Sequence, residues 1–254
     1  MFHPMRTVLA ACGAIKHGQI EQLACQFLNF ADVSHCPPSE CYRYTGSEVR
    51  YRNDSMPVGN VIMAVEGPSF TQPENVCMEV ARIAVGSWDR CQLDDYNLLP
   101  TRLAKRVSTY HCDAFQAINI NYRDTGLWGV HFIADCHSLD DMSIAIQEEW
   151  MYLCTCITKS EVERAKKFYI TNMLSNLQKV KLSCHDLGKW TLYRGSRPKL
   201  SERMDSVENM TAADVRKVAM QYIYDKCPVV AAVGQTEGLM DYNRLRGQMY
   251  WLRY

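Results

Sequence analysis

The chain writes one short element twice. "TVLAACG" runs from Thr7 to Gly13, and "PVVAAVG" runs from Pro228 to Gly234. Each is an apolar run that reaches Ala-Ala-x-Gly and then gives way to polar, helix-compatible residues, the form of a short buried strand. A domain has no reason to open on its own closing strand. The repeat therefore predicts two similar units, the first copy ending one and the second copy ending the other.

The residues between them fit that division. Ile20, Leu23, Ala24, Phe27 and Leu28 recur at helical spacing, so residues 17–30 read as an amphipathic helix. "ADVSHCPPSECYRYTG" then breaks the pattern, because Pro37 and Pro38 fix φ and remove two amide donors, as a linker does. Three segments follow: residues 1–30, the last strand and helix of an incomplete N-terminal half; residues 31–45, the linker; and residues 46–254, a complete second unit.

Within that second unit, "GSEVRYR" alternates charged and apolar residues like a half-exposed strand, and "GNVIMAV" is apolar throughout like a buried one. The short "NDSMPV" between them predicts antiparallel neighbours. Helical patterns follow at 73–87 and 98–108, then strands at 112–122 and 127–135 around "RDTG", where Gly126 is expected to supply the turn. Leu139, Met142, Ile146, Trp150 and Leu153 share one helical face over 138–153. The next helix opens on "TKSE", with Thr158 and Glu161 placed as a capping box, and carries Val162, Ala165, Tyr169, Met173 and Leu177 as its apolar stripe, with Glu163 and Lys167 pairing outward. Shorter helices are predicted near 181–193, 198–208 and 211–223, ahead of the last strand. Strand pairs separated by helices mean an α+β fold, a largely antiparallel sheet with helices packed on one face.

Charge narrows the function. Lys and Arg total 28 and Asp and Glu total 28, a balance unlike the concentrated positive charge of a nucleic-acid binder. No apolar run approaches the roughly 20 residues of a spanning helix, so no direct membrane span is expected. The twelve cysteines are scattered through a well-cored chain, which points to reduced thiols.

A zinc peptidase helix needs H-x-x-E-H or its inverse, so that two histidines share a face with a glutamate poised to activate water. The seven histidines, His3, His17, His35, His111, His131, His137 and His185, begin neither pattern. One constellation remains: a hairpin turning near Asp124 sets His111-Cys112 opposite Cys136-His137. Successive strand side chains point to opposite faces, so the four do not converge without distortion, and packing cysteines with surface histidines is the preferred reading. The C-x-C of Cys154 and Cys156 reads as packing too. The tail "DYNRLRGQMYWLRY" is rich in apolar and aromatic residues beside arginines, which suits docking on its own domain or a subunit contact equally.

"TGSEVRYRNDSMPVGNVIMAVEGPSF", "YRDTGLWGVHF", "EWMYLCTCITKSEVERAK" and "YIYDKCPVVAAVGQTEGLMDYNRLRGQMYWLRY" carry a resemblance in the same order. They resemble the pitrilysin-type metallopeptidases, in the branch that holds the mitochondrial processing peptidase β subunit and core protein 1 of ubiquinol–cytochrome c reductase. The resemblance implies two similar α+β halves joined by a linker, with the zinc-binding H-x-x-E-H in the N-terminal half. No position here matches that motif, so it carries over no catalytic residue, no metal ligand and no cofactor. "SWDRCQLDDYNLLPTRLA" departs from a family stretch rich in glycine. The resemblance implies a non-catalytic core subunit of respiratory complex III, or a truncated paralogue of it, and alternatively part of the processing peptidase β subunit, which removes presequences from imported proteins. The implied partners are a second core protein or the peptidase α subunit, with further complex III subunits. The implied location is the mitochondrial matrix or the matrix side of the inner membrane.

Overall fold

The computed structural model describes residues 7–28, 43–91, 99, 101–109 and 112–250. The chain divides into two compact units, Met1–Tyr42 with Ile170–Asp205, and Arg43–Tyr169 with Ser206–Tyr254.

In chain order the larger unit carries β1 (Glu48–Arg52), β2 (Gly59–Gly67), α2 (Glu74–Val85), β3 (Ser87–Asp89), α3 (Arg102–Val107), β4 (Cys112–Asn121), β5 (Gly126–Ala134) and α4 (Leu139–Thr155), then the first part of α5 (Lys159–Gln178), the end of α7 (Leu200–Glu208), α8 (Ala212–Tyr222), β6 (Val229–Gly234) and α9 (Tyr242–Gly247). Its six strands form one sheet in the order β1-β6-β2-β5-β4-β3, antiparallel except where β1 meets β6. The α+β reading holds.

The predicted β1–β2 pair does not form. β6 lies between them, parallel to β1 and antiparallel to β2. The short connection reads as a hairpin, yet it steps over one strand, and Asn53 N–H bonds to the Gly234 carbonyl at 3.0 Å as it leaves. β6 fits the gap because Val230 and Ala232 bury on one face while small Ala231 lies on the other. The β4–β5 hairpin is as predicted, with Tyr122 N–H bonded to Thr125 O at 2.8 Å. Gly126 serves differently from expectation: its φ is outside the left-handed region, and a Cβ there would press on the Pro68 carbonyl at 2.5 Å.

One sheet face is the core face. Val61, Met63 and Val65 of β2, Phe115 and Ala117 of β4, and Trp128, Val130 and Phe132 of β5 are buried there with Met78, Ala81 and Val85 of α2 and Met142, Ile146 and Trp150 of α4. Trp128 donates its indole N–H to the Met78 carbonyl at 3.0 Å and packs its ring 5.6 Å from that of Trp150. Helix starts follow local chemistry. Thr101 caps α3, Thr158 and Glu161 exchange hydrogen bonds at the start of α5, and Thr211 and Asp214 form the same capping box on α8. Along α5, Val162 and Ala165 are buried as expected, and Glu163 pairs with Lys166 at 2.9 Å.

The smaller unit holds α1 (His17–Phe27), α6 (Val180–Arg194) and the remaining parts of α5 and α7. The strand expected at residues 7–13 is absent: no described strand offers it a ladder, and Ala10 instead lies on α6, its carbonyl accepting from the Cys184 thiol at 3.2 Å. A strand is stable only with a partner to take its main-chain groups. Helix α1 forms as predicted, but it buries none of its residues; Phe27 is 72% exposed. On α6, Asp186 joins Arg197 and Arg203.

Candidate interaction surface

The three described members of the zinc constellation, Cys112, Cys136 and His137, do not group as metal ligands. Cys112 sits on the core face of β4 opposite Ala134, and its thiol donates to Ala114 and Ile133 carbonyls while burial pushes its pKa up to about 12. Cys136 belongs to a short 3-10 turn, Cys136–Ser138, whose carbonyl lies against Gly238, and His137 is exposed. His111 lies outside the described residues. No three His, Cys, Asp or Glu side chains among the described residues are grouped so as to hold a metal ion. The described residues therefore offer no ligand set that fits the family's zinc. Cys154 is buried, with its thiol pushed up to about 12 by desolvation, and Cys156 is exposed, so the C-x-C splits between core and solvent. The described cysteines are all free thiols.

The tail resolves in favour of docking as far as Met249. Leu245 and Met249 are fully buried, Gln147 donates to the Leu245 carbonyl at 2.6 Å, and the Asp225 N–H bonds to Met249 O at 2.8 Å. Arg244 reaches Asp140, and Arg246 reaches Asp225 at 2.7 Å. Trp251 and the residues after it lie outside the described residues. Arg50 fixes the same segment from the sheet side, donating to the Leu239 and Met240 carbonyls at 2.9 and 2.5 Å.

What remains for binding is surface. The sheet face away from the helices has an apolar row at its β1 end: by register Val49, Ala231 and Ile62 line up across β1, β6 and β2, with Tyr51 beside Val233, before His131 and Gln116 continue the row across β5 and β4. Val49 and Tyr51 are each 65% exposed. A cleft of about 490 Å³ opens where residues 43–46 enter the unit, between Tyr44, Glu66, Tyr222 and Lys226. Tyr44 donates to the Cys227 carbonyl at 2.8 Å, and burial, then the neighbouring Tyr242, raises its pKa. Glu66 accepts from the Thr125 hydroxyl at 3.1 Å, and Tyr222 donates to the Gln72 side-chain carbonyl at 3.4 Å. The face and edge were absent from the sequence reading, although "EVRYR" places its two apolar residues on one side of a strand whose other side is charged. Among the described residues no helix is long and apolar enough to cross a membrane.

Comparison with known proteins follows the same line. The family described as "Peptidase M16 inactive domain" matches residues 1–169. The chain belongs to the peptidase M16 family. This M16 chain is 40% identical over 255 residues to cytochrome b-c1 complex subunit 1, mitochondrial, of Rattus norvegicus, covering 98% of the chain and 53% of that relative. It is 39% identical over 254 residues to the mitochondrial-processing peptidase subunit beta of Bos taurus, covering 97% of the chain and 51% of the relative. A chain of Complex III2 from Candida albicans, solved with Inz-5 bound, superposes with a TM-score of 0.85 at 26% identity, over 93% of this chain and 57% of that one. The M16 chain thus spans about half the length of the relatives it matches.

Proposed function

We propose that this chain is a non-catalytic core subunit of mitochondrial ubiquinol–cytochrome c reductase, or a truncated paralogue of one. The observation that supports it is the likeness over 98% of the chain to cytochrome b-c1 complex subunit 1. With it goes the absence of H-x-x-E-H or its inverse from these 254 residues. Peptide hydrolysis in this family rests on a metal-activated water, and the chain carries no such motif to hold the metal, so in this reading it does not cleave peptides by itself. Its role is to fold as a stable half and to present surface to partners: a second core protein, with further subunits of the complex around it, on the matrix side of the mitochondrial inner membrane. Residues 1–30 are, in this reading, the closing part of an N-terminal half, and residues 46–254 are the second half.

The similarity to mitochondrial-processing peptidase subunit beta favours a second reading, in which this is the C-terminal part of that peptidase and its partner is the α subunit. Affinity purification of the tagged chain from mitochondria separates the two. Co-purifying cytochrome subunits support the first, and a co-purifying α subunit supports the second. Recovery of neither overturns both. Chelator-sensitive turnover of a presequence peptide by the purified chain alone would overturn the non-catalytic role.

A further inference from the structure

β1 is an edge strand, and its main chain is set to accept another. Val230 N–H bonds to Ser47 O at 2.9 Å and Asn53 N–H bonds to Gly234 O at 3.0 Å. In a parallel ladder of this register those two bonds fix the alternation. Residues 47, 49, 51 and 53 face β6, while Glu48, Arg50 and Arg52 turn their N–H and C=O groups outward, where no described strand lies beyond them. β1 has neither the proline nor the bulge that blunts such edges.

The side chains say what can pair with it. Taken antiparallel to a copy of itself about Arg50, "EVRYR" puts Glu48 opposite Arg52 of the second copy and Val49 opposite Tyr51 of the second copy. Each match recurs by symmetry. Arg50 meets its own image, but its guanidinium is already held by the Leu239 and Met240 carbonyls and by Glu48. The two outward main-chain pairs flanking the axis fall in register as hydrogen-bonded pairs. Val49 and Tyr51 then form the closer, non-hydrogen-bonded pairs on the open face. That gives the 65% exposed Val49 and Tyr51 apolar neighbours which the monomer denies them. Charged edge residues commonly act to repel a second strand; here Glu48 and Arg52 stand opposite each other across the axis, and the partners Arg52 has within its own chain, Asp54 and Glu237, form exposed ion pairs of the kind that exchange at little cost.

We propose that β1 takes a second copy of this chain by antiparallel strand addition centred on Arg50, joining two six-stranded sheets into one. The proposal rests on the sheet edge alone and stands apart from the functional reading above. A charge-exchange series on the full chain, read by sedimentation equilibrium, tests it. The parent is expected to show a monomer–dimer equilibrium at micromolar concentration. Glu48→Arg or Arg52→Glu alone sets like charges opposite each other twice per dimer and should weaken association by roughly tenfold. The double exchange restores the opposed signs and should restore association. Arg52→Pro, which removes an outward N–H together with the side chain that pairs with Asp54 and Glu237, should abolish it while leaving the circular dichroism spectrum unchanged, whereas Arg52→Ala, which loses the same side chain but keeps the N–H, should only weaken it. A chain that stays monomeric to 100-fold higher concentration overturns the proposal, as does a dimer indifferent to both single exchanges.

Discussion

Two side chains hold positions that elementary chemistry disfavours, and each yields a test. Glu149 of α4 is buried, and burial raises its pKa from 4.5 to about 7 against the opposing pull of Arg102, whose guanidinium lies 3.6 Å away over the Tyr152 ring. An acid whose folded pKa exceeds its unfolded one binds its proton more tightly when folded, so the fold loses stability as pH rises from 4.5 through about 7. Glu149→Gln removes that loss. Against the parent it should gain up to about 3 kcal/mol at pH 8 and nothing at pH 4.5, as read from urea midpoints. A gain that does not change with pH would show that shape and not charge is responsible. Asp225 is the one described non-glycine residue with a positive φ, +55°, and its carboxylate accepts from Arg246. Asp225→Val should cost about 1–2 kcal/mol from the left-handed backbone of a branched side chain. Asp225→Gly, which relieves that backbone but loses an exposed ion pair, should stay within about 0.5 kcal/mol of the parent.

At the scale of elements, the strongest local signals also give the sharpest expectations. Thr211 accepts from the Asp214 N–H at the start of α8, while the Asp214 carboxylate accepts from Thr211 N–H. Thr211→Ala should therefore lower stability by about 1 kcal/mol, and a thermal melt reads it directly. Caps, helical stripes and the β4–β5 hairpin are legible from sequence because the residues that decide them lie within a few positions of one another. Helix α9 was not legible: six residues from Tyr242 to Gly247 show too little periodicity, and burial of Leu245 makes the helix, not its propensity. Insertion of β6 between β1 and β2 is the larger miss. A short link argues for a hairpin, and only the match between β6 and both neighbours, some 180 residues away, overrides it. The paired Ala-Ala-x-Gly runs likewise diverge, since the second copy finds two strands and the first finds α6. Sequence could show that a metal motif was missing; it could not show that β1 was an edge, because edges are a property of the sheet's order.

For the whole larger unit, the decisive element is its last one. Leu239, Met240, Leu245 and Met249 are all nearly or fully buried and belong to the same core as the sheet and α4. The segment is held from three sides, by Arg50 of β1, by Gln147 of α4 and by Asp225 beyond α8. It meets the sheet at β1, one of the two edge strands. Burial of an aliphatic side chain of this size is worth about 2–5 kcal/mol on truncation to alanine, and a domain's net stability is only about 5–15 kcal/mol. A chain ending at residue 238 should therefore lose its cooperative thermal transition, while one ending at residue 250 should keep it, since every buried tail residue described lies before that point. Leu245→Ala lies between the two and should lower the melting temperature without abolishing the transition. If the 238-residue chain melts like the parent, the tail is an appendage on the fold and its apolar residues need another explanation. If it fails as expected, these residues are committed to the domain's own core, and partner binding must draw on the sheet face and edge instead.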